Sequence, residues 1–167
     1  MNVLLSIKPK YAESIISGRK KYEFRKVIFK KNYLDIVYIY SSSPVKKIIG
    51  AFRVGDIIED RPESLWDRLN EFSGLNEREF FNYFQNNKKG FAIEIKNVEK
   101  FEDPIDPVEL IPDFVPPQSF CYINFSLSSG GFKSESESKP SGLLNQIILL
   151  GRQSLISSIL PSNCQGG

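Results

Sequence analysis

The chain has 167 residues, 41% hydrophobic and 13% aromatic, enough apolar mass for a packed domain and too much for a wholly disordered chain. Histidine is absent and the two cysteines, Cys121 and Cys164, form no C-x-x-C pair, which argues against a zinc site and removes every Ser-His or Cys-His catalytic arrangement. The net charge of +2 hides an asymmetry: residues 1–50 carry eleven Lys/Arg against three acids, and residues 51–125 carry eight against fifteen. That distribution predicts one basic face, the electrostatic footprint of a nucleic-acid binder, against the plainer reading of lysines scattered over a solvated surface.

In chain order, residues 3–7 read as a strand. Pro9 suits the first position of a helix over 9–17, because its missing N–H has no intrahelical partner there. Tyr11, Ala12, Ile15 and Ile16 recur at helical spacing, and Gly18 ends the helix. Residues 20–28 then alternate, with Tyr22 and Phe24 on one face and Lys21, Glu23 and Arg25 on the other, as in a half-exposed strand. The run Leu34 to Tyr40 predicts a central buried strand, Ser41 to Pro44 a turn, and Lys47 to Ile58 a further strand with Gly50 and Gly55 at bulges or close approaches.

A helical pair is expected around 62–86. Pro62 opens the first helix, whose stripe is Leu65, Trp66, Leu69 and Phe72; Asn76 and Glu79 form an N-x-x-E box before Phe80, Phe81 and Phe84. Helical spacing assigns these aromatics to the core rather than to a base-stacking platform. Residues 90–98 alternate as a strand, the proline-dense stretch 104–117 wraps in extended geometry, and 119–125 returns as the last strand. From Ser126 the composition turns to Ser, Gly, Glu and Lys, so a domain over 1–125 followed by a linker and loosely docked or disordered tail over 126–167 is expected. No run approaches the roughly 20 apolar residues that span a bilayer. A cytosolic protein with no membrane partner is the default.

Gly18, Lys20, Glu23 and Arg25 reproduce the G-x-K-x-x-E-x-R pattern of the ASCH domain family, a branch of the PUA-like β-barrels. Leu4 to Pro9 resembles the family's first strand and helix entry, Ser42 to Gly50 its hairpin, and Phe114 to Phe120 the closing segment of one subgroup. The resemblance runs from about Met1 to Ile123. It implies a mixed α/β (α+β) fold: a PUA-like barrel of about five or six strands, with a helix after strand one. It further implies an RNA- or nucleotide-binding module. Small bacterial members hydrolyse acetylcytidine with a lysine, a threonine and a glutamate. Lys20 matches the lysine, Glu23 stands at the threonine position, and the distal glutamate falls near Glu71 or Phe72. Other relatives are ribonucleases.

The candidate ligand-binding residues are Lys8, Lys20, Glu23, Arg25, Tyr40, Lys46, Lys47 and Gln118, with Lys20 and Glu23 catalytic if the protein is an enzyme. The cations suit RNA phosphates, and Glu23 can accept from an exocyclic amine such as that of cytosine. Neither metal nor cofactor is expected, the partner being RNA or a nucleoside or nucleotide; a protein-interaction module is the further alternative. Lys20 has the opposite strand parity to Glu23, so it joins the site only if the chain has not yet settled into the strand.

Overall fold

A computed structural model describes residues 2–30, 36–128 and 131–133. Its elements are β1 (Asn2–Ile7), α1 (Pro9–Ile16), β2 (Tyr22–Arg25), β3 (Ile36–Ser41), β4 (Lys47–Asp60), α2 (Pro62–Leu69), α3 (Glu77–Phe84), β5 (Gly90–Ile105), β6 (Phe120–Ile123), β7 (Ser126–Ser128) and β8 (Gly131–Lys133). The first six strands form one mixed sheet in the order β2-β5-β4-β3-β1-β6. β1 and β3 pair in parallel, and their other partners run antiparallel. The fold is mixed α/β, with the expected helix after β1 and helical pair after β4.

The sheet curls until its ends approach, forming a half-barrel. Phe29, just after β2, meets Phe120 of β6 edge-on at 5.7 Å, and the Lys30 N–H donates to the Tyr122 hydroxyl. Curling gives the sheet two apolar faces. Val3, Leu5 and Ile7 of β1 pack with Val37 and Ile39 of β3 and with Ala12 and Ile15 of α1. Leu4, of opposite parity, packs with Tyr38, Tyr40, Phe101 and Cys121 on the other face. A third cluster forms where Phe24 and Ala92 meet Leu65, Leu69, Phe80 and Phe84 beneath α2 and α3.

The capping box is complete, since Glu79 N–H donates to Asn76 Oδ1 (2.9 Å) and Asn76 N–H to Glu79 Oε2 (3.2 Å). Trp66 packs against Phe80 with ring centroids 5.0 Å apart, at the core as its helical spacing implied. Phe72, expected on the same stripe, is instead 46% exposed, because α2 ends at Leu69 and Phe72 lies in the 3-10 turn that follows. Gly50 marks a close approach, because a Cβ there would sit 2.4 Å from the Glu99 carbonyl oxygen.

Three strand readings change. β2 spans only Tyr22–Arg25, because the Lys20 and Lys21 N–H groups are taken by Ser14 and Phe72 carbonyls instead of a neighbouring strand. It is also buried on both faces, Glu23 being 6% exposed and Arg25 9%, where a half-exposed strand was expected. β5 continues to Ile105 through Pro104, which the sheet tolerates because the β4–β5 register skips from Gly50–Lys100 to Ile48–Ile105.

Past Phe125 the chain remains attached for at least two residues. Leu127 is buried, its N–H donates to the Tyr38 hydroxyl, and Asn2 Nδ2 donates to the Phe125 carbonyl. The expected linker and tail beyond Lys133 lie outside the described residues, as do Leu34 and Asp35 of the expected central strand. Among the described residues no helix is long and apolar enough to cross a membrane.

Candidate functional site

Gly18 closes α1 at φ 73°, the left-handed conformation glycine adopts without strain. The turn delivers Lys20 not to a strand face but beneath the loop that precedes α3. Its stem packs over Gly74, where an added Cβ would lie 3.0 Å from the Lys20 Cβ. Its Nζ donates to the Ser73 carbonyl (2.7 Å), lies 3.5 Å from Glu23 Oε2, and sits 5.0 Å from the centroid of the Phe24 ring. Lys20 is 2% exposed. Burial pulls the pKa of this ammonium below the ordinary lysine value, with the Glu23 carboxylate opposing that effect. The parity condition is met because Lys20 precedes the regular strand.

Glu23 stands between two cations, its Oε1 accepting from Arg25 Nη1 at 3.3 Å. Arg25 is otherwise occupied by the main chain. Nη1 also donates to the Ser6 carbonyl (3.1 Å), and Nη2 donates to the carbonyl (2.7 Å) and hydroxyl (2.8 Å) of Ser119. Its terminal N–H groups are thereby engaged, and its buried Nε has no partner among the described residues. Arg25, expected to contact phosphates, would have to give up one of these bonds to do so.

These groups line a cavity of about 1110 Å³. It opens where the parallel strands β1 and β3 both end, between β2, α3 and the segment entering β6. Lys8, Lys20, Glu23, Arg25, Tyr40, Lys46 and Gln118 all contribute to its wall. Lys47 does not. It follows Lys46, which takes a left-handed φ of 54°, and its ammonium is paired with Asp106 at 3.1 Å. Glu71 and Phe72 are exposed in a short 3-10 turn and are not part of the wall, so no distal carboxylate joins Lys20 and Glu23 from that segment.

Neither Lys8 nor Lys46, both exposed, has an ion-pair partner among the described residues. The other carboxylate in the wall, Glu79, is held by Lys10 on α1. Sequence reasoning missed Lys26, Tyr83 and Ser119, which also line the cavity. Only the position of Lys26 beside Arg25 carried a local hint. Tyr83 lies off the apolar stripe of α3, and Ser119 comes into range only when the sheet curls. Burial, with a smaller push from Asp106, raises the pKa of Tyr40 above the ordinary phenol value.

A curled six-stranded mixed sheet with helices after β1 and β4, and a cavity walled by lysines around a buried Lys–Glu–Arg set, define the class of this domain. The model of the ASCH domain family matches residues 5–105, and the chain belongs to that family. It is 29% identical over 126 residues to a Zymomonas mobilis protein named ASCH domain-containing ribonuclease, covering 72% of this chain and 82% of that protein. The crystal structure of ASCH from Zymomonas mobilis matches it with a TM-score of 0.69 at 29% identity, over 73% of this chain and 87% of that one. A 27% identical match to the large ribosomal subunit protein uL22 of Ureaplasma parvum covers 62% of this chain and 33% of that protein.

Proposed function

We propose that the protein is a PUA-like, RNA-associated module that binds single-stranded RNA or a nucleotide of it in the cavity beside Glu23. The observation that carries this reading is the charge arrangement of the wall. Lys8 and Lys46, which have no ion-pair partner among the described residues, stand at the rim with Lys26, while Glu23 and Lys20 place an acceptor and a donor 3.5 Å apart inside. Cations at the rim suit phosphates, which position a strand without reading it; a carboxylate inside suits an exocyclic base amine such as that of cytosine. Single-stranded RNA exposes its base edges to such a pocket. The binding unit is residues 1–125, which contain every residue of the wall. RNA as partner goes with a cytoplasmic location and no membrane contact.

Titrating a fluorescent single-stranded RNA at rising salt tests the reading. The logarithm of the affinity should fall linearly with the logarithm of salt concentration, because bound cations release counterions from phosphates. Lys8→Gln combined with Lys46→Gln should flatten that dependence. Absence of salt-sensitive binding at low ionic strength would sink it.

A ribonuclease is the second reading, favoured by the name of the Zymomonas relative and by two titrating groups in one cavity. Burial shifts Lys20 towards the neutral amine, the form that acts as a base, while Tyr40 keeps its phenolic proton and can donate a hydrogen bond to a phosphate oxygen. Cleavage of labelled RNA in EDTA, lost in Lys20→Met and Tyr40→Phe, would establish it; intact RNA after prolonged incubation would leave binding as the function.

A further inference from the structure

Four aromatic rings line the cavity, and they are not equivalent. Phe24 and Tyr40 are buried, and Tyr11 is half-buried beside Lys10 and Lys20. Tyr83 is 39% exposed. It stands on α3 next to Phe84, whose ring it meets edge-on at 4.9 Å, so an exposed ring is backed by a rigid core. Its hydroxyl accepts from the Lys26 N–H at 3.3 Å, which tethers the far end of the ring to the chain leaving β2. The Lys26 ammonium lies over that ring, 5.2 Å from its centroid. Burial raises the pKa of its phenol above the ordinary value, with Arg25 opposing and Glu23 adding to that shift, so the hydroxyl end reaches the charged interior while the rest of the residue stays at the rim.

We propose that Tyr83 is the stacking platform for one nucleobase of a single-stranded RNA, with Lys26 holding the phosphate beside that base. This inference rests on the RNA-binding reading and adds to it the residue that engages a base independently of sequence. A platform for stacking needs a flat face that is open to the ligand yet fixed beforehand. The Phe84 contact and the hydroxyl tether supply the fixing, and the exposure supplies the face. A cation over an exposed ring is held more weakly than a base stacked on one. An incoming base therefore displaces the Lys26 ammonium, which is then free to pair with the adjoining phosphate. Every base has a π-face, so the contact tolerates any sequence and leaves discrimination to Glu23.

The test uses the full chain and a fluorescein-labelled single-stranded RNA decamer, compared with the same backbone made abasic. Tyr83→Ala should weaken binding of the intact decamer roughly 5- to 150-fold, the range for loss of one base–aromatic stack. Its affinity for the abasic backbone and its salt slope should match the wild type, because the phosphate contacts are untouched. Tyr83→Phe keeps the ring and its Phe84 contact but loses the hydroxyl tether, so it should bind the intact decamer less tightly than wild type and more tightly than Tyr83→Ala. Equal losses on intact and abasic RNA, or unchanged binding of intact RNA by Tyr83→Ala, would overturn the platform. A wild-type protein that binds neither decamer overturns the RNA-binding reading itself, a different outcome from either.

Discussion

Arg25 on β2 grips Ser119 at the entrance to β6 through a single nitrogen, Nη2, which donates to both the carbonyl and the hydroxyl oxygen of that residue at 2.7 and 2.8 Å. β2 and β6 are the two edges of the sheet, and no backbone ladder joins them. The guanidinium closes the half-barrel in place of one, bridging also to Ser6 of β1 and to Glu23. Arg25 thus acts as a clasp that shapes the cavity wall.

Arg25→Met should therefore destabilise the fold by about 3–5 kcal/mol, the usual cost of removing one partner from a buried ion pair. Arg25→Lys should recover little, because a single ammonium lacks the planar fork that reaches Ser6, Ser119 and Glu23 together. Urea denaturation measures both. A lysine variant with the wild-type midpoint would show that charge, not geometry, closes the sheet.

Lys20 gives the stability a specific pH dependence. Burial lowers its pKa below the ordinary 10.5, so the unfolded chain holds the proton more tightly than the folded one. Stability from this group rises with pH between the folded value and 10.5, and below the folded value it stays at a constant cost. The stability difference between wild type and Lys20→Met should shift in favour of wild type as pH climbs through that window. Paired denaturation curves from neutral to alkaline pH test this, and a difference that does not change with pH contradicts it.

At the acid end Glu79 and Asp106 both have lowered pKa values, and Glu79 is the one in the cavity wall. Its hydrogen bond from Lys10, then that from the Asn76 N–H, holds its carboxyl below the usual glutamate range. The contribution is complete above the unfolded value of 4.5 and is lost as pH falls through the folded one. Glu79→Gln should thus be less stable than wild type at neutral pH and converge with it in acid. Asn76→Ala, which removes an uncharged cap, should cost about 1 kcal/mol across the same range.

For the ligand, Glu23→Gln and Lys30→Gln make an informative pair. The first keeps the shape of a buried side chain and removes its charge, so preference for cytosine-containing over uridine-only RNA should disappear. The second removes an exposed cation outside the cavity, so affinity should fall modestly and equally for both sequences, with salt slope reduced by no more than about 1. Competition binding with the two RNAs measures the preference; its survival in Glu23→Gln would remove Glu23 as the base reader.

Much of the fold is legible in local chemistry. Pro9 and Gly18 bracket α1, Asn76 and Glu79 announce α3, and the β-branched and aromatic run ending at Tyr40 marks a central strand. The spacing of Lys20, Glu23 and Arg25 put three charged residues within one short segment. Each signal works because its cause lies within a few residues: a missing N–H, a tolerated positive φ, a side chain that caps its own helix.

How that segment is used depends on packing between distant parts of the chain. Period-two alternation sent Glu23 and Arg25 to one face but could not say that the face is interior, since that depends on a sheet curling round on itself. Ser119 is 94 positions from Arg25 and Ser73 is 53 from Lys20, so neither partner leaves a trace in local periodicity. The same closure lifted Tyr83 and Lys26 into the cavity and turned Lys47 away to Asp106. Interactions between near neighbours in the chain set the elements and the charged motif. The closed wall, the burial of Lys20 and the role of Arg25 as a clasp come from contacts between distant segments, which exist only once the chain has folded.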